Sequence, residues 1–211
     1  MNILIDNIEA LISEVDKYLQ INDIAEADLR RIWERLQAEY AGYDKWFCFR
    51  NVEIPYDLLN ELGAVIEEDC KQMKLFPDTF TGAEVQDVLQ ISDETFAEFA
   101  AFHDERNPDM YWTGERLARD YSKWGIFFKR TNEKISDYVI MSMRHSQEAE
   151  IFCIETPNVK TCRELFSFAA KYAFDNGKTY VLYMSDEEMR HEAALTMGFA
   201  VTGFYKGFSI K

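Results

Sequence analysis

The sequence is poor in the residues that punctuate or crosslink a chain. Its 211 residues include four prolines, nine glycines and four cysteines. So little proline and glycine excludes a collagen-like or low-complexity chain. Cys48, Cys70, Cys153 and Cys162 form no CxxC pair and lie in or beside apolar runs. Reduced thiols in the core of a cytoplasmic protein are the expectation, rather than disulfides. The three histidines, His103, His145 and His191, are scattered without ligand spacing, so no metal is expected. No run of about 18 apolar residues occurs, which argues against a membrane-spanning helix. No basic region precedes the apolar residues at the start of the chain, so a secretory signal is not expected. Cations are scarce too: 23 Lys and Arg face 38 Asp and Glu, a net charge of −15. Phosphate neutralisation needs clustered Lys and Arg, so neither nucleic acid nor an anionic membrane surface is an expected partner. Residues 1–84 carry net −10 and residues 85–211 net −5. That skew fits a cationic acceptor such as an amine, or a surface that only keeps the protein soluble.

What is present is 47% apolar, enough for a sizeable core. The clearest pattern is 148–210, which reads strand, helix, strand, helix, strand. Ala149-Glu-Ile-Phe-Cys-Ile-Glu155 is an apolar run fit for a buried strand. Thr156-Pro157-Asn158 punctuates it. From Lys160 apolar residues recur at helical spacing, through Leu165, Phe166, Ala169 and Ala173, until Asn176-Gly177 stops the helix. Residues 179–184 form a second strand. Ser185-Asp186 is a candidate cap for a helix through Ala193, Ala194 and Met197. Gly198-Phe199 opens the last strand region.

These residues resemble the GNAT superfamily, the acetyl-CoA-dependent N-acetyltransferases. The resemblance rests on Phe152-Cys-Ile-Glu-Thr-Pro157 ahead of a helix, Asn176-Gly177 ahead of a strand, and Ala193-Ala-Leu-Thr-Met-Gly-Phe199 near an expected final hairpin. It covers about residues 85–211. It implies an α+β fold: a mixed, mostly antiparallel sheet with helices on both faces. It also implies transfer of an acetyl group from acetyl-CoA, as co-substrate, to a primary amine of a small molecule or peptide by direct attack, in a monomer or homodimer. The pantetheine arm would pass between two splayed parallel strands here, 150–155 and 179–184. Phe152, Cys153 and Ile154 would line it, with backbone N–H groups near Cys153 and Ile154 as donors. Lys160, Thr161 and Cys162 would place a helix N-terminus under the pyrophosphate.

The sequence departs from the family pattern at the pyrophosphate loop, where Pro157-Asn-Val-Lys-Thr-Cys162 has no glycine. Side chains there crowd an approach that glycine would leave open. Where the family often has Asn and Tyr on the last helix, this chain has Glu187 and Ala194. Tyr205 is the candidate general acid, with Tyr183 as a second substitute. Glu150 is the candidate base, with Glu155 at the other end of the same strand. They are five apart, so they face opposite sides unless a bulge intervenes. Tyr111 and Trp112, in the loop 107–112, are the candidate acceptor-binding residues. A module that binds acyl-CoA without chemistry, or a structural protein with a decayed site, remains the alternative.

The first part of the chain reads as a helix over 3–19, a helix over 25–40, a strand over 46–49, a short helix over 56–62 and an extended run over 64–75. Shifted by 135 residues, this order falls on the C-terminal half: Gly42 on Gly177, Leu62-Gly63 on Met197-Gly198, Met73 and Leu75 on Phe208 and Ile210. An N-terminal domain, 1–80, is therefore expected as a partial GNAT-like repeat. It would lack the strand and turn before its first helix, and so lack a cofactor site. The domain 85–211 follows a linker at 77–82. Within it, a strand over 85–91, a helix after Ser92, a helix from Thr113 to about residue 124 and a hairpin over 125–143 are expected.

Overall fold

The computed structural model describes residues 1–108 and 110–210; Asp109 of the predicted acceptor loop and Lys211 lie outside the described residues. The chain forms two compact units. One comprises Met1–Lys71 and the chain's end from Gly203; the other is Gln72–Thr202. The division runs through two strands, whereas the sequence placed it in the linker at 77–82.

The first unit opens with strands, not with the predicted helix over 3–19. These are β1 (Asn2–Ile5), β2 (Ile8–Ser13) and β3 (Tyr18–Asn22). Asp6 and Asn7 both have positive φ, 48° and 68°. Two such residues in a row make the tight turn that a hairpin needs, and Asp and Asn tolerate it better than most side chains. β1 and β2 pair antiparallel across that turn, and β2 then pairs with β3. The apolar spacing in 3–19 fits a helix on paper, but the buried residues are Ile5, Ala10, Ile12 and Leu19, and Leu11 and Val15 are exposed. The abundant Ile favours the pleated arrangement.

Helix α1 (Glu26–Glu39) follows, then β4 (Asp44–Arg50), α2 (Tyr56–Glu61) and β5 (Val65–Leu75). The strand and turn thought missing before α1 are therefore present: β3 lies parallel to β4. Leu29, Ile32 and Leu36 of α1 pack with Phe47 and Phe49 of β4 and with Leu58 and Leu59 of α2. Phe208 and Ile210, from β11 (Ala200–Ile210), complete this core.

In the second unit the predicted strand over 85–91 shrinks to β6 (Leu89–Gln90), interrupted by Asp87 at φ 55°. Helix α3 (Asp93–Arg106) starts with a capping box between Ser92 and Thr95. Helix α4 (Gly114–Arg119) is capped by Thr113, but ends earlier than predicted, in a 3-10 turn over Tyr121–Lys123. The hairpin is β7 (Trp124–Thr131) and β8 (Lys134–Ser142), and β8 pairs antiparallel with β9 (Glu148–Glu155). Then come α5 (Val159–Asp175), β10 (Tyr180–Ser185), parallel to β9, and α6 (Glu188–Thr196). Ser185 ends β10 rather than capping α6, whose N-cap is Glu187 without a side-chain bond. The chain then enters β11 as one strand, not as a hairpin.

Alternation along the strands splits the buried residues of this unit between the two faces of the sheet. Phe127, Val139, Met141, Ile151 and Ile154 face α5 and its Leu165 and Phe166. Ile126, Phe128, Tyr138, Ile140 and Cys153 face Phe99 of α3 and Leu117 of α4. The fold is the expected α+β one, a mixed, mostly antiparallel sheet with helices on both faces.

Candidate functional site

The site forms where β9 parts from β10. Their pairing runs from Glu148–Tyr180 to Ile151–Tyr183 and goes no further, although β9 continues to Glu155. On its other edge β9 carries a bulge. Ile151 faces Met141 and Cys153 faces Ile140, so Phe152 is one residue extra. The bulge resets the alternation: Ala149, Ile151 and Ile154 belong to the α5 side, while Cys153 belongs to the α3 side. Glu150 and Glu155 consequently share the α3 face, despite being five residues apart. Glu150 stands beside Ser142, which stands beside Trp124, so the three form a row across β9, β8 and β7.

The helix after β9 begins without glycine, and a side chain fills the place of one of its missing contacts. Asn158 Oδ1 accepts from the backbone N–H of Lys160 at 2.9 Å and of Thr161 at 3.2 Å. This is an N-cap, and it occupies two of the donors that a helix N-terminus otherwise offers an anion. Lys160 is exposed and lies 3.7 Å from Glu164, which also bonds Lys129. Cys162 is fully buried, and burial pushes its thiol up to about 12. Burial, and then the Glu155 charge, push Cys153 up to about 12 as well. Neither thiol is a ready nucleophile.

Beyond the parting point the polar groups are dense. Glu155 lies 3.6 Å from Arg106 of α3 and 3.5 Å from Arg190 of α6. Arg190 also meets Glu187 at 3.0 Å. Burial works against the Arg190 charge, but Glu155 and Glu187 outweigh it and raise its pKa. Tyr183 Oη, Ser185 Oγ and His191 Nδ1 are buried here without a hydrogen-bond partner. Buried polar groups are normally paired, so these mark a place for water or a polar ligand. Tyr183 is packed by Phe166 at 5.0 Å, and burial drives its hydroxyl far above the usual phenol range.

On the α3 face the predicted acceptor loop is built into an aromatic group. Trp112 meets Trp124 at 5.0 Å and Phe152 at 6.3 Å, and Tyr111 meets Trp112 edge-on at 5.2 Å. A buried relay holds Trp112 in place. A carbonyl can only accept, so His103 Nε2 carries the proton donated to Trp112 O at 2.8 Å. His103 Nδ1 then accepts from Tyr138 Oη at 2.8 Å, and Asn107 donates to the same hydroxyl at 2.7 Å.

The structure thus brings Glu150, Phe152, Cys153, Ile154, Lys160, Thr161 and Cys162 to one junction, with Trp112 beside Phe152. It places Tyr205 in the first unit, on β11, where its hydroxyl donates to Cys48 Sγ at 3.1 Å. Sequence reasoning missed Arg190, Arg106, Trp124, Arg144 and His103. A helical count from Ser92 puts His103 among Phe99 and Phe102, which was a usable sign; the arginines carried none. Among the described residues no group of His, Cys, Asp and Glu could hold a metal ion, and no helix is long and apolar enough to cross a membrane.

No family model matches the sequence, and no curated protein matches it. Solved structures do. A GCN5-related N-acetyltransferase from Kribbella flavida superposes with a TM-score of 0.71 at 12% identity, over 99% of this chain and 88% of that one. A functionally unknown conserved protein from Staphylococcus epidermidis gives 0.72 at 13% identity, over 99% and 93%. A tandem GNAT protein from the clavulanic acid biosynthesis pathway gives 0.61 at 9% identity, over 96% and 78%. At such identities the likeness is one of architecture: the chain is built on the fold of the GCN5-related N-acetyltransferases.

Proposed function

We propose that residues 72–202 bind an acyl-CoA and transfer its acetyl group to a primary amine of a small molecule or peptide, by direct attack of the amine. The observation that carries this reading is the end of pairing at Ile151–Tyr183 with the bulge at Phe152. It leaves the edge of 152–155 that faces away from β8 free to hydrogen-bond a pantetheine arm through Cys153 and Ile154. Lys160 and Thr161 would face the pyrophosphate once the Asn158 side chain turns away. Glu150 is the base candidate. It stands on the face that carries Trp112, where an incoming amine would approach. Tyr183 takes over from Tyr205 as proton donor to the leaving thiolate, because its hydroxyl is at the junction and unpartnered while that of Tyr205 is bonded to Cys48. Most of the binding would rest on backbone groups, so positioning supplies much of the rate.

A second reading has its own support. Asn158 covers two helix donors, and the Glu155–Arg190 ion pair links β9 to α6 beside the parting strands. A non-catalytic acyl-CoA-binding or structural module fits that arrangement. Calorimetric titration with acetyl-CoA and with CoA tests the choice. Micromolar binding followed by amine-dependent thiol release supports the transferase. Glu150→Gln should then lower turnover about 10²–10⁴-fold. Binding without thiol release supports the module, and no binding at millimolar ligand retires both acyl-CoA readings.

A further inference from the structure

The aromatic group on the α3 face already holds a cation, and that cation belongs to the chain. The Arg144 guanidinium lies 4.6 Å from the ring centre of Trp112 and 4.3 Å from that of Trp124. The two indoles thus make an aromatic box around one planar charge, and Phe152 packs edge-on against both of them at 6.3 Å. Ring faces are negative, and such boxes are selective for guanidinium and alkylated ammonium groups.

We propose that this box is the seat of the acceptor's cationic group, a guanidinium or alkylated ammonium, and that Arg144 is a resident stand-in displaced when the acceptor binds. Four observations converge. First, the backbone around Arg144 is anchored independently of its side chain. Lys178 Nζ donates to Met143 O and His145 O on either side, and Met143 N donates to Lys123 O. Second, the side chain keeps 27% of its exposure, and its ion pair, with Asp120 at 3.4 Å, is shared with Lys123 at 3.2 Å. Asp120 keeps a partner when Arg144 leaves. Third, the walls are fixed: Trp112 by the His103 relay, Trp124 by the start of β7, and both by edge-on contact with Phe152. Fourth, Glu150 stands in the Trp124–Ser142–Glu150 row, so a cation held in the box would have a carboxylate on its own side of the sheet. Naming the occupant an acceptor rests on the transferase reading; the box's preference for a cation does not.

The test is a titration of the whole protein with ethylguanidinium and with tetramethylammonium, read by tryptophan fluorescence, with acetate and glutamate as anionic controls. A resident that fills the box most of the time lowers apparent affinity by the fraction of empty boxes. Arg144→Ala should therefore bind ethylguanidinium about tenfold more tightly than the wild type. Adding Trp112→Ala should remove that gain. If Arg144→Ala does not fold, Arg144→Gln is read in its place. Unchanged or weaker cation binding in the folded variant overturns the proposal. So does binding of glutamate or acetate that is lost with Arg144, which would make the arginine an anion holder. No acyl-CoA is in the cuvette. Tightened cation binding beside a flat acetyl-CoA isotherm therefore retires only the transferase reading, and the converse retires only the box.

Discussion

The two halves of the chain run through the same five elements and part company at one junction. In the first half the order is β3, α1, β4, α2, β5; in the second it is β9, α5, β10, α6, β11. β5 and β11 are both 11 residues long and lie 135 residues apart. Pairing of the parallel strands also stops at equivalent places, Asn22–Cys48 in one half and Ile151–Tyr183 in the other. Past those last pairs the two halves differ. The first half turns at once: Asp23 N donates to Cys48 O at 2.7 Å, and three residues separate β3 from α1. The second half continues β9 for four more residues past its last pair and spends seven residues between Ile151 and α5. Those four extra residues carry the bulge and make the opening. A candidate site can be gained or lost by a short insertion at one junction without disturbing the elements around it.

The comparison has sharp edges that can be tested, beginning with the largest effect. Phe208 is 2% exposed and meets Phe49 and Tyr56 edge-on in the first unit. Phe208→Ala should cost about 3–5 kcal/mol. The loss should appear in urea unfolding of the first unit, and a change under about 1 kcal/mol would mean that β11 is not part of that core.

The helix ends come next. Gly63 and Gly198 close α2 and α6 at equivalent positions with φ of 76° and 95°. A Cβ on Gly63 meets nothing within 4 Å, whereas one on Gly198 collides with the carbonyl oxygen of Thr79. Gly63→Ala should cost about 1 kcal/mol from conformation alone. Gly198→Ala should cost about 3 kcal/mol, as overpacking adds to the strain. Equal losses would contradict the close approach of the 79–81 segment to α6.

Alkali should discriminate the units as well. Cys153 and Cys162 in the second unit are pushed up to about 12, and Cys48 in the first to about 11. A folded-state pKa above the unfolded one gives stability that is complete below about pH 9. It is lost as pH rises toward the folded value, by at most about 1.4 kcal/mol per pH unit per thiol. Unfolding midpoints measured from about pH 8 to 10.5 should fall, and Cys153→Ala should flatten the slope. A slope unaltered by the substitution would count against the buried thiol.

The smallest effect concerns the caps. α5 has Asn158 at its N-cap, and α1 has Ala25 with no side-chain bond. Asn158→Ala should cost about 1 kcal/mol, and Ala25→Asn should gain a comparable amount. In calorimetry Asn158→Ala should also tighten CoA, because it frees the N–H groups of Lys160 and Thr161. Weaker CoA binding in a folded variant would show that Asn158 supports the site rather than screens it.

Much of the second half was readable because its signals are local. Thr156-Pro157-Asn158, Asn176-Gly177 and Gly198 mark where elements stop, and the runs between them match their periods. The start of the chain misled for a local reason also. Ile5, Ile8, Ile12 and Leu19 satisfy a helical count, and only the paired positive φ of Asp6 and Asn7 betrays the hairpin. That error hid β3, and with it the strand and turn before α1. The site was legible in its backbone parts and not in its side chains. Nothing near Arg190 in sequence announces Glu155, 35 residues away.

The sequence by itself determined the order of elements in the second half, their near-repeat at a spacing of 135, and the burial of the thiols. The tertiary structure alone decided three things. It set where β9 leaves β10, because pairing ends where a partner fails to follow, not where a residue forbids it. It put Glu150 and Glu155 on one face, because a single bulged residue inverts every side chain beyond it. It also exchanged the closing strands. β11 lies beside β4 and gives Phe208 and Ile210 to the first unit's core, while β5 lies beside β10 and gives Met73 and Leu75 to the second's. The two strands carry apolar residues at the same register, so local sequence does not distinguish their partners; long-range packing chooses between them.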